Sequence, residues 1–263
     1  MKDILSEIIA HKRKEVAAQK ERLPFSLLER EVEAATAPFF SMKGALENSR
    51  SGIIAEFKRR SPSKGWLFQT ADAADVTKAY ESAGASVLSV LTDEKYFGGT
   101  MDDLRAATAS AKIPIMRKEF IVDEYQLFEA KLAGASAVLL IAAALTPEEC
   151  NRLTALASQL GLEVLLELHH EKETGHIGSL NTLVGINNRN LGSFATDVQK
   201  SFRMASLLPR EAVWVSESGI SNPQIVRELR DVGYRGFLIG EHFMRGGRPG
   251  ESLKELIDAV EGQ

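Results

Sequence analysis

Apolar residues gather in eight short runs, each ending in a polar loop and followed by a segment of helical period. The runs are IIAEFK (53–58), SVLSVLT (86–92), IPIMRK (113–118), SAVLLIA (136–142), LEVLLEL (162–168), TLVGIN (182–187), AVWVSE (212–217) and GFLIG (236–240). The first 48 residues have another rhythm: Ile4, Ile8, Ile9 and Val16 form one stripe at helical spacing, and Phe25, Leu27, Leu28 and Val32 a second. Three helical segments close on similar phrases, ESAGAS (81–86), KLAGAS (131–136) and RDVGYR (230–235), with glycine where a left-handed C-terminus needs no Cβ. Alternating strands and helices imply a parallel sheet covered by helices. Eight such units predict a closed (β/α)8 TIM barrel over 49–263, with an N-terminal helical extension over 1–48 packing on it. An open doubly wound sheet is the alternative, but no GxGxxG follows the first run.

Residues two apart on a strand share a face. Ile53, Ala55 and Phe57 should therefore meet the helices, while Ile54, Glu56 and Lys58 point into the barrel and rise towards its carboxyl end. The same ending recurs: Lys118 closes the third run, Glu167 lies near the end of the fifth, Asn187 with Arg189 ends the sixth, and Glu217 ends the seventh. Each alone reads equally well as a solvated rim residue. Gathered at one end of one sheet they predict a catalytic mouth, because barrel enzymes keep their chemistry there and buried charge is costly without a partner.

The basic stretch KRRSPSKG continues directly from the first run, so it belongs to a structured loop rather than a tail, and it can offer Lys58 and Ser61 to an anion. Gly219 in SESGISNP and Gly240 in FLIGEHFMRGG follow the seventh and eighth runs, where this fold usually builds its phosphate cradle. For either glycine alone a plain turn is the simpler reading. Trp66 reads as a loop contact and Trp214 as a barrel residue.

Composition narrows the class. With 263 residues, 44% hydrophobic and 26% charged, the chain is long enough for one barrel. A net charge of −4 argues against nucleic acid as its partner. The single cysteine, Cys150, excludes an intrachain disulfide and sits in a helical pattern, as a buried thiol would. His11, His169, His170, His176 and His242 lack a metal-ligand spacing, so no metal is expected. No apolar run is long enough to span a bilayer, and the leader does not read as a signal peptide, so a cytoplasmic protein without membrane contact is expected.

The segments AEFKRRSPSKG, LSVLTDEKYFGG, IPIMRKEFIVDEYQ, GASAVLLI, GLEVLLELH, GINNRNL, SESGI and LIGEHFMR, with the leader ILSEIIAHKRKEV, resemble the indole-3-glycerol phosphate synthases in order and spacing over almost the whole chain. The resemblance implies ring closure of 1-(2-carboxyphenylamino)-1-deoxyribulose 5-phosphate, with loss of CO2 and water, in tryptophan biosynthesis. It implies no cofactor and no obligate protein partner beyond the small phosphorylated substrate. It makes Lys118 the general acid and Glu167 the general base. Lys58 either holds the substrate carboxylate or serves as a second acid. Glu56 and Asn187 would position a hydroxyl or the anilino nitrogen, and Glu217 and Ser218 the sugar chain. Arg189 would bind substrate, and Ser61, Gly219, Gly240 and the backbone of Glu241 the phosphate. Phe97 and Phe120 would line the ring pocket. Two positions depart from the family pattern: Glu119, where Asp is commoner, and His242–Phe243, bulkier than usual and expected to crowd the last loop. The rival readings are another phosphate-binding barrel of the same pathway, lacking the lysine–glutamate pair and the leader, and a non-catalytic phosphate-binding barrel.

Overall fold

The computed structural model describes residues 4–35 and 39–262. Eight parallel strands close into a barrel: β1 (Ile53–Phe57), β4 (Val87–Leu91), β5 (Ile115–Lys118), β6 (Ala137–Ile141), β7 (Glu163–Leu168), β8 (Leu183–Asn187), β9 (Val213–Glu217) and β10 (Gly236–Ile239). All eight fall within the apolar runs. The two remaining strands, β2 (Arg60–Ser61) and β3 (Gly65–Trp66), form an antiparallel hairpin on the loop after β1.

The period-two pattern sorts the core into two layers. Ile53, Ala55 and Phe57 face outward into the helix-packed cluster, while Ile54 joins Met116, Leu139, Leu165, Val215 and Leu238 inside the barrel. Trp214 also faces the outer layer, its indole N–H donating to the Pro209 carbonyl at 2.7 Å. Cys150 is buried in α8 (Pro147–Gln159); burial, with the nearby Glu149 charge, pushes its thiol up to about 12, so it is not a thiolate. Gly84, Gly134 and Gly233, from the three repeated phrases, all adopt positive φ.

Three helices make up the leader: α1 (Ile4–Arg22), α2 (Phe25–Ala34) and α3 (Met42–Asn48). Residues 1–3 and 36–38 of the expected helical extension lie outside the described residues. The leader is not one continuous helix. Pro24 starts α2, and Ser41 caps α3 by accepting the Gly44 N–H. α3 closes the amino-terminal end of the barrel: Met42 and Leu46, fully buried, join the interior cluster, and the Glu163 carboxylate at the start of β7 accepts the N–H groups of Met42 and Lys43.

α1 and α2 lie against the barrel's flank and opposite end. Phe25 meets Phe128 edge to face at 4.9 Å, and Lys20 pairs with Asp123 at 2.7 Å. Lys12, 1% exposed, reaches Asp93 at 3.0 Å, Glu119 at 3.2 Å and Glu15 at 2.9 Å. Burial alone would lower its affinity for a proton, but the Glu119 and Asp93 carboxylates outweigh that and keep it an ammonium. No described helix is long and apolar enough to cross a membrane.

Leu46→Ala should lower the unfolding free energy by about 2–5 kcal/mol, because it empties part of the plug. A lower urea midpoint with unchanged ligand affinity at the opposite end of the barrel is the expected result.

Candidate active site

The carboxyl ends of the strands surround a cavity of about 1040 Å3, its open mouth included. Glu56, Lys58, Lys118, Glu167 and Asn187 line it together, although the chain separates them by up to 131 positions between Glu56 and Asn187. Lys118 Nζ lies 3.2 Å from Glu56 Oε2 and 3.7 Å from Glu217 Oε2; Lys58 Nζ lies 2.5 Å from Glu56 Oε1. Burial would strip Lys118 of its proton, but Glu56, Glu217 and Glu167 more than offset this and raise its pKa. Burial likewise opposes the charge on Glu56, yet the two ammonium groups draw its carboxyl down to about 2.

Glu167 and Glu217 are pushed apart. Burial works against charge on both. Glu167 is nonetheless lowered to about 2, chiefly by His169, whose Nε2 sits 2.7 Å from Oε1. Glu217 is raised well above the ordinary range by burial and by the neighbouring Glu167 charge, so it keeps its proton. Glu217 is fully buried and does not line the cavity; it lies beneath, over Gly185. The register explains this crowding. Gly185 pairs with Glu167 on one side, and a Cβ there would come within 2.2 Å of Glu217 Oε1. A Cβ on Gly240 would meet Glu56 Oε1 at 2.5 Å. Both glycines make room for a carboxylate.

Ser218, which lines the mouth, holds φ at 70°, a backbone conformation that costs a non-glycine residue free energy and that gathers at functional sites. Its carbonyl accepts from Asn188 Nδ2 at 3.1 Å. Phe97 and Phe120 form an aromatic wall, ring centres 5.9 Å apart. Ile4, Leu5 and Ile8 of α1 also line the cavity, which the sequence reading missed.

Beside the main cavity an outer cleft is lined by Ser63, Lys64, Ser193, Ser221 and Arg245, with Arg189, Gly219, Glu241 and His242 among the residues shared between the two. Its cations outnumber the single carboxylate of Glu241, which pairs with Arg189 at 3.0 Å and with Arg245. Ser61 is not among the lining residues. It sits fully buried in the β2–β3 hairpin, whose turn presents Ser63 and Lys64 instead. The rest of the basic stretch is structural: Arg59 grips Asp103 with two bonds of 2.6 Å, and Arg60 stacks over Trp66. Phe243 does not crowd the last loop; it turns outward, fully buried, against Tyr80. Glu119 joins Lys12 and accepts from Thr92 Oγ1 and the Phe120 N–H. Among the described residues, no group of three or more His, Cys, Asp and Glu side chains is placed to hold a metal ion.

A closed parallel barrel with two ammonium groups and ionised carboxylates converging on one cavity, beside a cationic cleft, defines a (β/α)8 barrel with a charged site at the end where barrel enzymes keep theirs. Solved structures agree on the fold. Tryptophan synthase subunit alpha from Legionella pneumophila superposes with a TM-score of 0.61 at 12% identity, covering 84% of this chain and 98% of that one. The chain belongs to the indole-3-glycerol phosphate synthase family, whose family model matches residues 5–256. It is 56% identical over 261 residues to the indole-3-glycerol phosphate synthase of Bacteroides thetaiotaomicron, covering 99% of this chain and all of that one. The corresponding protein of Dechloromonas aromatica is 44% identical, covering 98% of this chain and all of its own.

Glu56 provides a pH test. Its folded pKa is about 2 against an ordinary 4.5, so its stabilisation is complete above that ordinary value and is lost as pH falls towards about 2. Glu56→Gln should flatten the acid limb of stability across this window. Urea midpoints measured at successive pH values check it; an unchanged slope would mean that the pairing contributes nothing.

Proposed function

We propose that the chain converts 1-(2-carboxyphenylamino)-1-deoxyribulose 5-phosphate to indole-3-glycerol phosphate, releasing CO2 and water, as a step of tryptophan biosynthesis. Family membership supports the reaction. The observation that carries the site reading is the Lys118 ammonium, kept charged among carboxylates inside the cavity. The substrate's aromatic ring rests against Phe97 and Phe120. Its phosphate lies towards the outer cleft, met by Arg189, Lys64 and Ser63 and by main-chain N–H groups around Gly219 and Gly240–Glu241. Ser63 takes the part expected of Ser61. Ser218 and Asn187 orient the sugar hydroxyls. Glu217 supports them from below by holding Lys118 in place.

The chemistry follows in order. The ring carbon bearing the carboxylate attacks the ketone carbon, and the alkoxide that develops takes a proton from Lys118. The bond to the carboxylate then breaks; CO2 leaves and its electron pair restores the ring. Lys58, paired with Glu56, holds the carboxylate until that step and then protonates the departing hydroxyl. Glu167 removes a proton from the adjacent carbon, and the new double bond completes the indole. Two protons are donated and one is taken back, so each turnover consumes one proton from solvent. A water-soluble phosphorylated substrate and a biosynthetic family fit an enzyme of the cytoplasm that needs no obligate protein partner.

The test is a fluorescence assay for indole-3-glycerol phosphate with the purified chain and its carboxyphenylamino substrate; no product at saturating substrate would reject the activity. Lys118→Ala should lower kcat by about 10²–10⁴-fold while product still binds, and near-normal turnover would remove Lys118 from the acid role. Glu167→Gln should slow the dehydration step alone, leaving a decarboxylated, hydrated intermediate to accumulate in rapid-quench samples.

A further inference from the structure

His169 follows Glu167 by two residues, so the same alternation that aims Glu167 inward carries His169 to the rim. It is 3% exposed, and each ring nitrogen faces an acceptor: Nε2 faces Glu167 Oε1 at 2.7 Å, and Nδ1 the Arg189 carbonyl at 3.3 Å. Its backbone N–H is fixed by Glu173 Oε2 at 2.6 Å. His169 does not line the main cavity. It forms part of the wall of a separate side cleft, together with His170, Lys172, His176 and Lys200. A single imidazole therefore stands between the buried carboxylate and a second opening to solvent.

We propose that His169 is a positioning and proton-relay residue for Glu167, passing the proton that Glu167 removes from substrate to the side cleft. The proposal rests on the reading of Glu167 as the base. Its chemistry balances without a further reactant. The ring first gives a proton to water in the side cleft, which frees Nε2; Glu167 takes the substrate's proton and hands it to Nε2, and the hydrogen-bonded pair is restored with Glu167 again a carboxylate. The two lysines regain their protons through the open mouth, which keeps the net uptake at one per turnover.

Glu217 beneath Glu167 already holds a proton and cannot take another, which leaves His169 as the neighbour that leads away from the substrate cavity. The Arg189 carbonyl after β8 faces the ring, the Glu173 carboxylate holds the His169 backbone N–H, and His170, Lys172, His176 and Lys200 of α9 (Gln199–Met204), which donates to the Asn187 carbonyl at 2.8 Å, line the same cleft. His169 also keeps Glu167 ionised, so it acts twice on the same carboxylate.

Two variants separate positioning from relay. His169→Gln retains an N–H donor for Glu167 but carries no exchangeable proton near neutrality. His169→Ala leaves a space open to added imidazole. We expect both to keep KM within about twofold and to lower kcat about ten- to a hundredfold, less than a direct acid–base residue would. The acid limb of the kcat profile should move to higher pH in His169→Ala, because Glu167 loses the partner that lowers its pKa. Imidazole should restore His169→Ala and leave His169→Gln unchanged. Thermal melts identify a folding defect, and rescue by imidazole could not occur in an unfolded chain. Parent-like kcat in His169→Gln, or no rescue of a folded His169→Ala, would overturn the relay. Glu167→Gln separates the two readings: if it dehydrates at the parent rate, the base role itself is wrong whatever the His169 variants do.

Discussion

The mouth of the barrel depends on one arrangement of charge: Glu56 held between Lys118 and Lys58. None of these groups would stay ionised if buried alone. The ammonium needs the carboxylates, Glu56 needs both ammonium groups, and Glu167 needs His169. Glu217 stays neutral, because its burial and the nearby Glu167 charge outweigh Lys118 at 3.7 Å. The site thus sorts nearly identical carboxyl groups into charged and neutral forms by their neighbours rather than by their type. Such a set also makes the site brittle, since removing one member leaves its partners buried with unbalanced charge.

The barrel supplies the geometry for that pairing. Closure aligns residues from different strands at the same height: Asn187 sits opposite Glu217, and Glu167 opposite Gly185. Below this level the interior is apolar, closed at its far end by Met42 and Leu46. Stability and chemistry are thereby separated along one axis, with packing at one end and charge at the other. Gly185 and Gly240 lie on this boundary, where the missing Cβ atoms are what allow carboxylates to enter.

Much of this was legible in the sequence because a barrel strand obeys a strict period of two. The alternation in IIAEFK assigns Ile54, Glu56 and Lys58 to the inside without further information. The rule stops where the chain leaves the strand. Ser61 and Ser63 look equivalent in RSPSKG, and only the pairing of Arg60 with Trp66 turns one inward and presents the other to the cleft. His169 follows β7 on the same register, but the sequence weighs it only as a metal ligand and rejects it, because its partner is a carboxylate two residues earlier. The lining by Ile4, Leu5 and Ile8 was hidden because a helical stripe states that a face is buried, not what it is buried against. Phe243 was misjudged because residue size says nothing about which way a loop turns the side chain.

Lys12 has a consequence for the order of assembly. Its ammonium can leave water only after Asp93 and Glu119 stand side by side, and these come from the loops that follow β4 and β5. Before then, docking α1 would bury a charge without its counterions. The helix that precedes the barrel in the chain can thus seat only after the strands that follow it, and its seating registers that two neighbouring strands have already paired correctly.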